Sequence, residues 1–186
     1  MGGRKARLIV DGVPLALAHV RRARSLGARR VLVVARPDDL AFIGREADVV
    51  SSTASDAAGS LALGVRALAL LGGDGPDVLV VPVDSLPVGR DVLDGLAAAL
   101  GPGIDAVRPT HEGRGGHPVL VRWSVLWPYL GAAAPPPLRD VLRALGARRV
   151  DVPVADPSVV VDLDTVADVA RVTGGPARFQ EDDGRG

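Results

Sequence analysis

The stretch Val78-Leu79-Val80-Val81-Pro82-Val83-Asp84-Ser85-Leu86-Pro87 indicates the fold of this chain. Its first four residues are all apolar and follow a glycine-rich, turn-like segment at residues 72–77. Such an uninterrupted apolar run is typical of a strand buried on both faces of a parallel sheet. Ligands of open α/β sheets bind beyond the carboxyl ends of the strands, so Asp84 is placed to hold a metal ion or a substrate. The alternative is that Asp84 only caps the helix predicted to begin near Asp91.

Strand and helix patterns alternate on both sides of this stretch. Apolar residues at helical spacing follow Pro14 as far as Leu26, and helical patterns recur at residues 61–71, 91–100, 138–145 and 165–172. Apolar segments that predict strands lie at residues 30–35, 48–50, 104–109, 118–121, 149–154 and 159–162. This alternation predicts an α/β fold: a three-layer, Rossmann-like, mostly parallel sheet with helices on both faces.

Composition limits the classes of function. Lys plus Arg and Asp plus Glu both number 22, so the overall charge supports neither a nucleic-acid partner nor a membrane surface. The absence of cysteine excludes disulfides, thiolate metal sites and a cysteine nucleophile. No apolar run approaches the roughly 20 residues of a membrane-spanning helix, and the N-terminal residues lack the apolar core of a signal peptide. We therefore expect a cytoplasmic protein.

The length of 186 residues is that of about one domain. We expect a single domain over residues 1–173. From residue 174 the sequence is rich in Gly, Pro, Glu and Asp. This composition predicts a disordered tail over residues 174–186.

Three further places carry residue types that are used in catalysis or metal binding. A single histidine before a strand, as in Gly116-His117-Pro118, is more often structural than an acid or base. In Asp162-Leu163-Asp164 the two carboxylates point the same way if the backbone is extended, and Asp164 is alternatively the N-cap of the last helix. Lys5 alone is most often an ordinary solvated lysine. His19, in the arginine-rich first helix, is expected at the surface or its boundary.

Taken in order, these segments resemble the MobA-like nucleotidyltransferases, and among them the molybdenum cofactor cytidylyltransferase type. Residues 1–15, with Lys5 before Asp11-Gly12-Val13-Pro14-Leu15, are similar to the second half of the family's opening. Ser60-Leu61-Ala62-Leu63-Gly64-Val65 resembles the family's motif near the nucleotide base, and Val83-Asp84 resembles its metal-binding strand end. Gly116-His117-Pro118-Val119-Leu120 resembles its Gly-His-Pro motif, and Asp162-Leu163-Asp164-Thr165 resembles its closing Asp-x-Asp-Thr motif. The resemblance covers nearly the whole chain and implies the nucleotide-diphospho-sugar transferase type of fold.

The sequence departs from the family pattern in three ways. Pro87 follows Asp84 one position later than in the family's Asp-x-Pro, and Val166-Ala167 replaces the Pro-Glu of the closing motif. The family also opens with a strand and a glycine-rich loop whose N–H groups hold phosphates, whereas this sequence begins at the methionine that follows them. We expect this first strand and loop to be missing. Either the start was assigned at an internal methionine, which we favour, or the protein is a shortened relative without catalytic activity.

The resemblance implies Mg²⁺-dependent nucleotidyl transfer from a nucleoside triphosphate to a phosphorylated acceptor, with release of pyrophosphate. It favours CTP as donor, with GTP as the alternative, and molybdopterin as acceptor, and it implies a molybdoenzyme maturation partner. It also assigns residue roles: catalysis to Lys5 and Asp84; nucleotide binding to Lys5, Gly59 and Ser60; the acceptor side to Gly116 and His117; and Mg²⁺ to Asp84 and Asp164. The rival hypotheses are a non-catalytic nucleotide- or cofactor-binding protein and an unrelated α/β domain whose carboxylates are caps.

Overall fold

The computed structural model describes residues 5–72, 75 and 77–180. The strands are β1 (Ile9–Val10), β2 (Val13–Pro14), β3 (Leu32–Ala35), β4 (Asp48–Ser51), β5 (Asp77–Val80), β6 (Ala106–His111), β7 (Arg114–Gly115), β8 (Val119–Arg122) and β9 (Arg149–Pro153). The α-helices are α1 (Leu15–Ser25), α2 (Leu40–Ile43), α3 (Ala57–Leu70), α4 (Arg90–Ala99), α5 (Pro128–Gly131), α6 (Leu138–Ala144) and α7 (Val166–Thr173). Short 3₁₀ helices occupy Lys5–Arg7, Pro37–Asp39, Trp123–Leu126, Gly146–Arg148 and Pro157–Val160.

The main sheet is built around β6 and β8. Its order is β5–β8–β6, and both β7 and β9 pair with β6. Because β8 is antiparallel to β5 and β6, and β9 is parallel to β6, the strands β5, β6 and β9 share one direction. β3 and β4 form a separate parallel ladder. The predicted α/β fold with a mostly parallel sheet is therefore confirmed.

The two ladders are not joined to each other. Within the described ranges, β3 pairs only with β4 and β5 pairs only with β8. Helix α3 instead covers both ladders: Gly64 lies against Val34 and Leu32 of β3, while Ala62 and Val65 share a core cluster with Val78 and Val80. Within the described ranges, no strand pairs with both ladders.

Alternate side chains of the main sheet enter two different cores. Val78 and Val80 pack in a cluster that includes residues of α3, α5 and α6. Leu79 packs in a second cluster, which is dominated by α4. Helices thus cover both faces of the sheet, as predicted. Burial of each large aliphatic side chain stabilises this arrangement by about 1.5–3 kcal/mol.

Two element predictions need correction. The helix expected from residue 61 begins at Ala57, because the Asp56 carboxylate accepts a hydrogen bond of 2.6 Å from the N–H of Gly59 and caps it there. The strand expected at residues 159–162 is wrong. Pro157–Val160 is a 3₁₀ helix that Asp156 caps, because the Asp156 carboxylate accepts from the Ser158 N–H at 2.8 Å.

The expected disordered tail is corrected for residues 174–180. The N–H of Ile9 donates to the carbonyl of Arg178 at 2.8 Å, and Leu8 forms an antiparallel bridge with Phe179. Phe179 also packs against a buried cluster that contains Leu8 and Val169. The rest of the tail, residues 181–186, lies outside the described residues, as do residues 1–4 of the family-like opening and residues 73, 74 and 76 of the turn-like segment.

In the described part of the chain, no helix has both the length and the apolar character that a membrane crossing requires.

Candidate active site

Three side chains from distant parts of the sequence meet beyond the carboxyl end of β5. Lys5 belongs to the 3₁₀ helix Lys5–Arg7, Asp84 to the turn after β5, and Asp164 to the segment just before α7. The Lys5 Nζ donates to Asp84 Oδ2 at 2.8 Å and to Asp164 Oδ1 at 2.6 Å. The structure therefore brings together the three residues to which the resemblance assigned catalysis and metal binding.

Backbone contacts hold Asp84 in its turn. The Ser85 N–H and hydroxyl donate to the Pro82 carbonyl at 3.2 and 2.7 Å. The Leu163 N–H donates to the Asp84 carbonyl at 2.8 Å, which ties the turn to the Asp162–Asp164 segment. Asp84 does not cap α4, because that helix begins at Arg90 with Gly89 as its N-cap. The capping alternative for Asp84 is wrong.

The helix cap before α7 is Thr165 and not Asp164. Thr165 accepts from the N–H of Asp168, and the Asp168 carboxylate accepts from the N–H of Thr165, which makes a capping box. These bonds account for the start of the helix. The Asp164 carboxylate is left to pair with Lys5, and 64% of its side chain remains exposed.

The two carboxylates raise the pKa of Lys5, although burial of its side chain alone lowers this pKa. Lys5 is therefore a cation at neutral pH, held between two anions. Its side chain also borders a cavity of about 180 Å³ that is lined by residues of β3 and by Val83. Lys5 thus adjoins both the carboxylate pair and this cavity.

His117 lies close to this cluster. Its backbone N–H donates to the Val159 carbonyl at 2.7 Å, and its buried ring Nδ1 atom has no hydrogen-bond partner in the described ranges. Burial lowers the pKa of His117, while the charges of Asp162 and Asp84 oppose that shift. Gly116, next to it, packs on the backbone of Val159. His117 is thus an electrostatic neighbour of Asp162 and Asp84, and Gly116 lies beside Val159 in the same segment.

Asp162 is a further acidic residue of the cluster that the site prediction left out. Burial raises its pKa, and its electrostatic neighbours are His117, Asp84, Asp164 and Lys5. The first carboxylate of the Asp-x-Asp motif was the sequence signal for it. Its backbone forms an isolated bridge with Ser85, which places it directly beside the Asp84 turn.

Gly59 and Ser60 lie in the first turn of α3 and stand apart from the cluster. The Gly59 N–H is occupied by the Asp56 cap at 2.6 Å, and the Ser60 N–H donates to the Asp56 carbonyl at 3.2 Å. Among the described hydrogen bonds, none joins Gly59 or Ser60 to Lys5, Asp84 or Asp164. Their assignment to nucleotide binding stays a prediction.

His19 lies at the boundary between surface and core, as expected. Its ring on α1 is partly buried, and its Nε2 lies 2.9 Å from the Ser85 carbonyl. Because a carbonyl only accepts, Nε2 is the donor. Burial lowers the pKa of His19, so the ring is neutral at pH 7.

The carboxylate pair suits a divalent cation in its chemistry. Carboxylate oxygens are the ligands that Mg²⁺ and Mn²⁺ prefer, and the Lys5 ammonium already lies where a cation is attracted by both Asp84 and Asp164. In the described ranges, no group of three or more His, Cys, Asp or Glu side chains is arranged to hold a metal. A metal here would therefore depend on substrate oxygens and water for its remaining ligands.

Comparison with known proteins adds a family match and several similar structures. The family model described as "MobA-like NTP transferase domain" matches residues 1–163. No curated protein matches the chain.

Three solved structures show the same fold. Rv0371C from Mycobacterium tuberculosis H37Rv, solved as a complex with manganese, is 19% identical, with a TM-score of 0.72 over 94% of each chain. The 2-C-methyl-D-erythritol 4-phosphate cytidylyltransferase from Thermus thermophilus is 19% identical, with a TM-score of 0.63 over 91% of this chain and 92% of that one. Molybdopterin-guanine dinucleotide biosynthesis protein A from Archaeoglobus fulgidus is 17% identical, with a TM-score of 0.58 over 91% and 89%.

Proposed function

Because the chain belongs to the MobA-like NTP transferase domain family, we propose that it transfers a nucleoside monophosphate from a nucleoside triphosphate to a phosphorylated small molecule. The observation that carries the proposal is the meeting of Lys5, Asp84 and Asp164 beyond the carboxyl end of β5. Ligands of open α/β sheets bind at that edge. The two carboxylates also supply the negative charge that a metal ion requires, and the lysine supplies the positive charge that a triphosphate requires.

In the proposed reaction, a phosphate oxygen of the acceptor attacks the α-phosphorus of the triphosphate. A new phosphorus–oxygen bond forms, the bond between the α- and β-phosphates breaks, and pyrophosphate leaves. The protein forms no covalent bond to the substrate in such a displacement. It accelerates the reaction by aligning the reactants and neutralising their charge. His117, with its unpartnered Nδ1, and Gly116 would adjoin the acceptor.

Asp84 and Asp164 are the residues that would hold Mg²⁺. Held there, the ion would neutralise negative charge on the phosphates. The Lys5 ammonium pairs with the same two carboxylates, so it would compete with a metal for them. Phosphate oxygens in the adjoining cavity of about 180 Å³ are then its natural partners. Lys5 would thus exchange two carboxylates for the triphosphate.

Replacing Lys5 by methionine is expected to tighten Mn²⁺ binding by the nucleotide-free protein while turnover falls. The substitution removes a cation that competes for Asp84 and Asp164. Since partly exposed ion pairs are modest in strength, we expect a gain in Mn²⁺ affinity of up to about tenfold. Calorimetry or the paramagnetic resonance of free Mn²⁺ measures it without nucleotide.

Two variants sharpen that experiment. Lys5→Arg keeps the positive charge and is expected to bind Mn²⁺ no more tightly than the wild type. Lys5→Met combined with Asp164→Asn is expected to lose the gain, which locates the ion at the carboxylate pair. Equal Mn²⁺ affinity in wild type and Lys5→Met would contradict the competition.

We favour CTP as the donor and molybdopterin as the acceptor. The support is the Gly116-His117-Pro118 segment, which is similar to the cytidylyltransferase motif, together with the names of two structural neighbours, one a cytidylyltransferase and one a molybdopterin-guanine dinucleotide protein. GTP is the alternative donor. Gly59 and Ser60 would meet the base or ribose from the start of α3, and we propose the cytoplasm as the compartment.

A pyrophosphate-release assay tests the proposed function. CTP, GTP, ATP and UTP are each supplied with Mg²⁺ or Mn²⁺, with and without molybdopterin, and nucleotide binding is measured in parallel by calorimetry. We expect acceptor-dependent release, fastest with CTP. Nucleotide binding without release would instead favour a non-catalytic binding protein, the candidate to which the unjoined strand ladders point. Absence of metal-dependent nucleotide binding would contradict both candidates.

A further inference from the structure

The turn that carries Asp84 is held from two sides. On one side, the Asp84 carbonyl accepts from the N–H of Leu163 at 2.8 Å, in the segment that leads to α7. On the other side, the Ser85 carbonyl accepts from the His19 ring at 2.9 Å. Ser85 itself is only 2% exposed. Ser85, which follows Asp84 in the chain, is therefore hydrogen-bonded to a side chain of α1.

His19 is suited to this contact by its position in the sequence. Helix α1 packs its buried residues Leu15, Ala16 and Val20 into the domain, and His19 lies beside them. The hydrogen bond spans 66 positions in the chain. Without it, the buried Ser85 carbonyl would lose its described side-chain donor. The turn would then be tied through the Leu163–Asp84 hydrogen bond, the bridge between Ser85 and Asp162, and its own Pro82 contacts.

We propose that His19 is a positioning residue that holds the Pro82–Ser85 turn so that the Asp84 carboxylate points at Asp164 and Lys5. The role in turnover rests on the proposed function, whereas the effect on the turn does not. His19 acts through the Ser85 carbonyl and touches no reacting group. A displacement of about 1 Å in a site of this kind costs on the order of a hundredfold in rate.

Two substitutions separate the donor from the bulk of the ring. His19→Leu keeps apolar volume but cannot donate, and His19→Gln keeps a donor at the end of a side chain of similar reach. We expect His19→Leu to lower kcat by about 10- to 100-fold with a KM for nucleotide within about threefold of the wild type, and His19→Gln to retain kcat within about threefold. A kcat for His19→Leu equal to that of the wild type, or a His19→Gln variant as slow as His19→Leu, would overturn the proposal.

Hydrogen exchange provides a readout that does not depend on catalysis. In His19→Leu, peptides that cover residues 82–86 are expected to exchange faster, with peptides of β5 and α1 unchanged, and His19→Gln should restore the slow exchange. Unchanged exchange in the turn would refute the positioning role even if the protein turns over no nucleotide. If exchange responds but the wild type shows no turnover, the proposed function fails and the positioning role stands.

His111→Leu is the matched control. The His111 ring also contacts a backbone carbonyl, that of Val154, at 3.1 Å, but this carbonyl lies outside the Asp84 turn. We expect no faster exchange at residues 82–86 in this variant and a kcat within about twofold of the wild type. A loss in His111→Leu as large as that in His19→Leu would show that the effect is a general one of losing a histidine contact, and it would count against the proposal.

Discussion

Asp84→Asn is expected to abolish measurable pyrophosphate release, with kcat/KM falling by at least about a thousandfold. The substitution keeps the size and shape of the side chain but removes its negative charge. The Lys5 ammonium, 2.8 Å from Asp84 Oδ2, would then have Asp164 as its one remaining anionic partner in the pair, and one of the two carboxylates that would hold a metal would be gone. The loss should appear in kcat as well as in KM, because charge neutralisation is needed most in the transition state.

The assay for Asp84→Asn uses saturating nucleotide and Mg²⁺, with circular dichroism to establish that the variant is folded. Asp94→Asn is the matched control, since Asp94 lies on the exposed face of α4, where it only approaches Arg90 at 3.6 Å. We expect Asp94→Asn to keep its rate within about twofold, as surface substitutions normally do. Turnover close to the wild-type rate in a folded Asp84→Asn variant would remove Asp84 from the mechanism.

The position of Asp84 could be predicted from local sequence because the relevant signal is local. Four consecutive apolar residues indicate a strand, and a carboxylate soon after its end must lie at one edge of the sheet. The strand is β5, but it is half-buried and pairs antiparallel with β8, so the expected burial on both faces of a parallel sheet is wrong. The meeting of Asp84 with Asp164 is different. It depends on a tertiary contact between residues far apart in the chain, and only the resemblance to a family connected them.

The turn chemistry of residues 156–162 shows why one strand prediction failed. Val159, Val160 and Val161 all favour strands by propensity. Pro157 nevertheless fixes its own backbone in a helix-compatible conformation, and the Asp156 carboxylate caps the Ser158 N–H at 2.8 Å. These local bonds outweigh a weak propensity, so the segment turns before it reaches Asp162.

The contacts of His19 and Phe179 could not be predicted, for a different reason. A histidine at the boundary between surface and core is equally compatible with water or with a buried carbonyl, and only the path of the Asp84 turn decides between them. Phe179 is one apolar residue in a polar segment, and the burial that orders it comes from Leu8 at the other end of the described chain. The sequence pattern around His19 does not indicate Ser85 as its partner, and the pattern around Phe179 does not indicate Leu8.

Gly116→Ala is expected to be the most destabilising of the substitutions considered. A Cβ at this position would collide with the Val159 carbonyl oxygen and lie 2.7 Å from the carbonyl carbon. Both are backbone atoms, so no side-chain rotation relieves the collision. The same carbonyl accepts the His117 N–H at 2.7 Å, and Val159 is 2% exposed in the core beside α4.

Relief of the Gly116→Ala collision requires the Pro157–Val160 helix to move away from the segment before β8. That movement breaks the His117 hydrogen bond and opens the core at Val159, at a cost of about 3 kcal/mol or more. Since total stabilities are about 5–15 kcal/mol, we expect a fall in Tm of roughly 10 °C and a lower urea midpoint. Gly95→Ala makes the same chemical change in α4, where a Cβ meets nothing within 4 Å, and should raise stability by about 0.5–1 kcal/mol. Equal unfolding midpoints for Gly116→Ala and the wild type would show that the contact between Gly116 and Val159 is looser than described. The link between the acceptor side and the segment that carries Asp162 would then be looser as well.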